Sequence, residues 1–260
     1  MIEDFASTLW STPGAPPDLR ALEQACLNAV PAPYQAFDGP LLFRAFLGGT
    51  GRANSIVSLN PDPDAALLPR IARMESRAAA RGIPCRFRST PLDPPGLAGL
   101  LHARGYTEQD ETLVLLGSLG AMVRPDAAVR VLAGPEPDWM AVVATAEYQL
   151  EARRAEKARM PELLAIPAAW LVLEVQGTPA ASLFVVADGM LCGMFDLAVR
   201  PEFRRQGLAA RIMGAGAAWA AQRGAIWKWS QVSAGNVASL ALNARMGMGE
   251  MYRYRYLRKG

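Results

Sequence analysis

The sequence predicts an α/β (α+β) fold, a mixed and mostly antiparallel twisted sheet flanked by helices, with a second, reduced unit of similar make ahead of it. Three observations lead there. Apolar runs at 169–175, 180–187 and 190–199 are separated only by Gln176-Gly177-Thr178-Pro179 and Asp188-Gly189, the pattern of an antiparallel meander. The last run feeds a tight turn and then a helix-like pattern over 208–222. Finally, Leu101-His102-Ala103-Arg104-Gly105-Tyr106 lines up with Leu242-Asn243-Ala244-Arg245-Met246-Gly247-Met248 once one residue is inserted, each copy on a short helix ahead of a closing strand.

In chain order, Pro13, Gly14, Pro16 and Pro17 mark an irregular arm. Asp18 is placed to cap a helix with Leu19, Leu22, Ala25, Cys26 and Ala29 on one face. Phe37-Asp38-Gly39-Pro40 is turn chemistry, and strands follow at 41–47 and 55–59 across the Gly48 to Gly51 turn. A helix over 64–81 stops at Gly82. Then come a strand at 83–89, a short helix at 96–104 and a strand at 112–116.

A linker over 117–126 separates this first unit, residues 1–120, from a second, residues 126–260. The second opens with a strand at 129–132 and a charge-rich helical stretch from Trp139 to Arg159. The meander follows, then a strand at 226–232, a helix at 237–245 and a last strand at 250–257.

Composition narrows the function. Lys and Arg number 27 against 24 Asp and Glu, for a net charge of +3, which gives no case for nucleic acid as the main partner. Cys26, Cys85 and Cys192 lack metal-ligand spacing, and His102 is the single histidine, so neither a zinc site nor a Cys-His nucleophile pair is expected. The acidic start, Met1-Ile2-Glu3-Asp4, argues against a signal peptide, and no apolar run reaches membrane-spanning length. A cytoplasmic protein with no metal and no membrane partner is the expectation.

The stretch around which the chain is organised is Val199-Arg200-Pro201-Glu202-Phe203-Arg204-Arg205-Gln206-Gly207-Leu208-Ala209. A turn that leaves a strand and opens a helix aims several backbone N–H groups one way, and the helix dipole adds positive potential there. Gly207 lets backbone approach a phosphate, Ala209 is nearly as small, and Arg204 and Arg205 add charge. No Lys-Ser/Thr pair follows the glycine, so a P-loop is excluded.

The pattern R-x-x-G-x-A preceded by V-x-P resembles the acetyl-CoA signature of the GNAT superfamily of N-acetyltransferases. The element order over 126–260 is also similar to that family's succession. The resemblance implies that acetyl-CoA is the co-substrate, with its pyrophosphate on Arg204, Arg205, Gln206, Gly207, Leu208 and Ala209. It further implies that the strand segment Leu197, Ala198, Val199 splays from its neighbour, pairs with the pantetheine arm and supplies a backbone N–H to the carbonyl as it becomes an oxyanion. The first two helices of such a domain line the acceptor site, which here brings in Glu147, Tyr148, Glu151, Arg153, Arg154, Glu156 and Lys157.

A second motif, Asn236-Val237-Ala238-Ser239-Leu240-Ala241-Leu242-Asn243, resembles the family's N-x-x-A-x-x-L-Y. Asn236 stands either to cap the helix or to bond the pantetheine amide, with Ser239 beside it. Asn243 departs from the tyrosine that protonates the departing thiolate in many members. Three readings stay open: release without a dedicated acid, a substitute such as Tyr252 or Tyr254, or a domain that binds acetyl-CoA without turnover. Tyr252, Tyr254 and Tyr256 alternate and so share one face. Asp196, interrupting an apolar strand beside the pantetheine segment, is the candidate base, and Glu174 is a weaker one of the same type.

The first unit has no such cradle. After Leu59 it reads Asn60-Pro61-Asp62-Pro63-Asp64, in which prolines remove donors and aspartates repel phosphate. It therefore reads as a degenerate relative of the tandem-GNAT type, in which Arg52-Ala53-Asn54-Ser55 also has its likeness. The function expected is N-acetylation of a primary amine on a small molecule or amino-acid-like acceptor, by a monomer or homodimer. The alternatives are an acyl-CoA-binding regulator and a protein or peptide N-acetyltransferase.

Overall fold

The computed structural model describes residues 14–146 and 150–259. Asp18 caps the first helix, α1 (Leu19–Ala29), accepting from the Ala21 N–H at 2.7 Å. It is followed by β1 (Tyr34–Asp38), β2 (Leu41–Ala45), β3 (Ile56–Ser58), α2 (Leu67–Ala80), β4 (Arg86–Ser89), α3 (Leu97–Ala103) and β5 (Thr107–Ser118). Then come β6 (Val129–Leu132), α4 (Pro137–Val143), α5 (Glu151–Leu163), β7 (Ala168–Val175), β8 (Thr178–Asp188) and β9 (Leu191–Val199). The chain ends with α6 (Leu208–Ala221), β10 (Trp227–Ser233), α7 (Val237–Arg245) and β11 (Gly249–Arg258).

All eleven strands among the described residues form one sheet, ordered β1-β2-β3-β4-β11-β5-β10-β9-β8-β7-β6. Only β3 with β4 and β9 with β10 run parallel. Apart from the edge strand β6, the order is symmetric about the β11–β5 pair, and each of these two strands lies beyond the other. β5, from residues 1–120, pairs with β10, while β11, from residues 126–260, pairs with β4. The expected units thus share one hydrogen-bonded sheet. The helices α3 and α7 also end alike: Gly105 and Gly247 take positive φ, and the next N–H returns to Leu101 O and Asn243 O respectively. This pairs the two copies without the inserted residue.

The core lies on both faces. α2 and α3 with α6 and α7 cover one, over Phe43, Ile56 and Phe87 in the first half and Leu171, Leu183 and Met194 in the second. α1, α4 and α5 cover the other, packed on Trp170, Phe184, Phe195, Trp229 and the stripe Tyr252, Tyr254, Tyr256, which shares that face as alternation predicts.

Some expectations need correction. The single helix over 139–159 is two, α4 and α5, and Glu147 and Tyr148 between them lie outside the described residues, as do Met1 to Asp4. The helix expected from Asp64 begins at Leu67, because the Asp64 carboxylate accepts from the Ala66 N–H at 2.9 Å and forms a turn of its own. The strand expected from Ile83 begins at Arg86, and β1 was not anticipated at all. Among the described residues, no helix is long and apolar enough to cross a membrane.

Candidate active site

β9 and β10 pair through Trp227↔Leu191, Lys228↔Cys192 and Trp229↔Gly193, and no further. Beyond Gly193 the strands part, leaving residues 194–199 and 230–233 with facing edges that do not bond each other. On its other side β9 keeps its β8 ladder, with Ala198↔Ser182 and Val199↔Ala181. A bulge intervenes at Asp196, whose φ of 49° is unusual for a residue with a side chain. Leu197, Ala198 and Val199 therefore line one lip of a splay, on the β10 side of which they make no ladder.

The splay runs into the turn that opens α6. Gly207 is the N-cap, at φ 75°, and no side chain caps the helix. A Cβ at Gly207 would meet no atom within 4 Å, so the position faces open space and the first helical N–H groups, from Leu208 and Ala209 on, have no intrahelical acceptor. Arg205 also holds a positive φ of 65°. Arg204 donates from Nε to Val199 O at 3.2 Å, tying the turn to the lip, while Arg205 and Gln206 are exposed. Free N–H groups, the positive end of the dipole and arginines together are donors of the kind an anion takes.

The counterpart in the first half differs in chemistry. Ahead of α2, Asp64 holds the Ala66 N–H and also accepts from Arg70 Nε at 2.6 Å, so a carboxylate already occupies the helix start.

Asn236 caps α7, accepting from the Ser239 N–H at 3.0 Å. Asn243 is buried and fully engaged. Its Oδ1 accepts from Lys228 Nζ at 2.8 Å, and its Nδ2 donates to Ser239 O at 2.8 Å. Lys228 is 0% exposed, donates also to Ser230 Oγ at 3.0 Å, and has its pKa pushed down to about 7 by burial. The sequence signal for this residue was a lysine inside an apolar strand, and it was missed.

The four remaining candidates separate. Tyr252 donates its hydroxyl to Glu23, a buried carboxylate of α1 that is ion-paired with Arg88. Tyr254 lies by the splay, its hydroxyl donating to Gln231 Oε1 at 3.3 Å. Asp196 is ion-paired with Lys157 of α5. Glu174 pairs with Arg130 at 2.7 Å on the far strands of the sheet. The structure thus brings Asp196 and Tyr254 to the splay, and commits Asn243 and Tyr252 to buried contacts elsewhere.

Glu156 was expected only among the acceptor-lining charges, yet it is a buried anchor. Its Oε1 accepts from the N–H groups of Leu47 at 3.1 Å and Gly49 at 2.9 Å, and its Oε2 from Thr50 at 2.8 Å. A Cβ at Gly49 would sit 2.7 Å from the Arg153 backbone nitrogen, so only glycine lets the loop pack this closely on α5. Cys26 and Cys192 are buried thiols with pKa values pushed up to about 12, first by burial. Among the described residues, no cluster of three or more His, Cys, Asp or Glu could hold a metal ion.

A parallel strand pair that splays beside an uncapped helix start defines a GNAT-type N-acetyltransferase, a class whose members generally use acetyl-CoA. The chain belongs to the family described as "Probable histone acetyltransferase Rv0428c C-terminal", whose model matches residues 17–257. It is also similar to the uncharacterized N-acetyltransferase YobR of Bacillus subtilis (strain 168), at 24% identity over 92% of this chain and 98% of that one. Among solved structures it is similar to a GCN5-related N-acetyltransferase from Kribbella flavida, at 20% identity and TM-score 0.62, covering 88% of this chain and 90% of that one. A tandem GNAT protein from the clavulanic acid biosynthesis pathway shares the fold at 15% identity and TM-score 0.54, covering 72% of this chain and 67% of that one.

Proposed function

We propose that this N-acetyltransferase moves an acetyl group from acetyl-CoA to a primary amine of a small-molecule or amino-acid-like acceptor in the cytoplasm, and that only residues 126–260 hold the co-substrate. The observation that carries this reading is the continuity of the β9–β10 splay with the uncapped start of α6 at Gly207. When bound, acetyl-CoA supplies an activated thioester. Gly207, Leu208 and Ala209 receive the diphosphate with Arg204, Arg205 and Gln206 around it, and the β9 edge at Leu197 to Val199 orients the amide-bearing arm. Asp196 and Tyr254 stand at the splay as the polar side chains able to handle a proton there. The first unit, with Asp64 at its helix start, is read as a degenerate copy that no longer binds the co-substrate.

A second reading is supported by Asn243. Its carboxamide is spent on Lys228 and Ser239, so the position offers no thiolate acid, which suits a binder without turnover. The description of the matched family adds a protein acceptor as a third.

One experiment divides the three. Acetyl-CoA affinity is measured by calorimetry, and thiol release is followed across small amines, amino acids and a lysine-bearing histone-tail peptide. Release with small amines supports the proposal. Release with the peptide alone replaces the acceptor class, and tight binding with no release by any amine would leave a regulator.

A further inference from the structure

Arg52 belongs to the first unit, in the loop between β2 and β3, yet its guanidinium lies in the second. Its Nη2 donates at 3.3 Å to the carbonyl of Gln231, two residues past Trp229, the last β10 residue that pairs with β9. Its Cζ is 5.9 Å from the ring centroid of Phe195 on the opposite lip. The charged head thus stands in the splay, on the face of Tyr254.

Its base is held firmly. Arg44 Nη1 donates to the Arg52 carbonyl at 2.7 Å, and Glu156 grips the same loop through three backbone N–H groups and the side chain of Asn54. A side chain ordered in advance loses little entropy when it takes a ligand.

Its charge is not spent. Among the described residues no carboxylate lies within ion-pair distance of Arg52, and its bonded acceptors are the neutral oxygens of Gln231 and Tyr254. Burial works against the charge, but Tyr254, Tyr256 and Asp196 together hold its pKa above the ordinary guanidinium value. The carboxylate of Asp196 is already paired with Lys157. Two cations against one anion leave the described part of the splay net positive. A guanidinium fork with donors to spare matches the geometry of a carboxylate.

We infer that Arg52 receives a carboxylate of the acceptor, so that the acceptor is an amine bearing a carboxylate, as an amino acid is, and that the first unit thereby contributes to the substrate site of the second. This rests on the transferase reading above and narrows its substrate class.

The test uses the full chain and amines offered in matched pairs, each amino acid against its C-terminal amide. In the wild type, kcat/KM is expected to favour the carboxylate form by tenfold or more. Arg52→Gln should cut that ratio by about 10- to 100-fold, the span of a charge-assisted hydrogen bond, chiefly through KM, while Arg52→Lys retains part of it. Calorimetry with acetyl-CoA on the same preparations separates the two levels. If acetyl-CoA does not bind, the transferase reading itself fails. If it binds and amines turn over with no preference for the carboxylate form, or with the same ratio in Arg52→Gln, the assignment of Arg52 is overturned. Should Arg52→Gln not fold, the wild-type ratio and Arg52→Lys decide.

Discussion

Lys228 Nζ donates to Asn243 Oδ1 at 2.8 Å, both groups buried beneath α7, where β9 and β10 are still paired. The residue standing at the family's tyrosine position is thus the cap of a buried amine. From the motif alone, Asn243→Tyr would restore an acid and raise turnover. The geometry reverses that expectation, since a phenol ring removes the amide acceptor and overfills a packed site. Asn243→Tyr is expected to lose about 1–3 kcal/mol in urea denaturation, with no rise in kcat. A faster and equally stable variant would return Asn243 to the list of catalytic positions.

The same pair makes stability depend on pH. Burial lowers the Lys228 pKa from 10.5 to about 7 in the folded state. Below pH 7 the lysine is charged in both states, and the cost of burying that charge is fully present. Between pH 7 and 10.5 the unfolded chain keeps a proton that the folded one has released, so stability rises with pH, by at most about 1.4 kcal/mol per unit. Cys192, the residue paired across from it, keeps its proton in the folded state, where burial raises its pKa from 9.0 to about 12, while the unfolded thiol ionises from about pH 9 and lowers stability there. Wild type and variant share that contribution, so their difference reports the lysine. Denaturation of the wild type and Lys228→Met at pH 7 and pH 9 should show the wild type gaining on the variant as pH rises. Parallel curves would mean that the amine is charged throughout.

Gly207→Val tests the cradle. The backbone at φ 75° strains any β-branched residue by about 1–2 kcal/mol, yet the added Cβ meets no atom of the protein. The variant should therefore fold with a modest loss of stability, while acetyl-CoA affinity, read by calorimetry, falls tenfold or more. Unchanged affinity in the folded variant would remove the diphosphate from this turn.

Much of this was legible in the sequence, for local reasons. The bounds of α7 were read residue for residue because Asn236 caps one end and Gly247 follows the other. The strand, turn and helix around Gly207 were legible because they occupy consecutive residues. β1 was missed because Tyr34–Asp38 is an edge strand with much of its side-chain surface in solvent, and so lacks an apolar pattern. The break between α4 and α5 was missed because α5 buries only Glu156 and Met160, too few to carry a helical period. Arg52 and Lys157 reach the splay, and Glu156 the loop that carries Arg52, from elements distant in sequence, and no motif encodes such meetings.

Glu156→Gln probes how the loop that carries Arg52 is held. The amide keeps one oxygen for Leu47 and Gly49 but turns an NH2 toward the Thr50 N–H, or the reverse, so at least one backbone donor loses its acceptor. A loss of about 1–3 kcal/mol is expected, with faster proteolytic nicking of the loop. A protease pattern identical to that of the wild type would show that packing of Gly49 and Gly51, and not this carboxylate, fixes the loop.

Residues 126–260 should not fold alone, and the reason is topological. β5, which this fragment lacks, lies between β10 and β11 and bonds both: Trp227 to Ser233 pair along it on one side and Gly249 to Arg258 on the other. Without it, both strands become open edges at the middle of what was a continuous sheet, and the Tyr252, Tyr254, Tyr256 stripe loses the α1 cover that packs on it. Leu113 and Leu115 of β5 also leave the α6 core, and Val114 and Leu116 leave the opposite one. Losing four buried large side chains costs about 1.5–3 kcal/mol each, which is comparable to the whole stability of a domain. The fragment is expected to aggregate. Co-expression with residues 1–125 should restore a soluble complex, because every strand is then present and only one peptide bond is missing. A fragment that unfolds cooperatively by itself and binds acetyl-CoA would show that β10 and β11 can close on each other, and that the exchanged strand is dispensable.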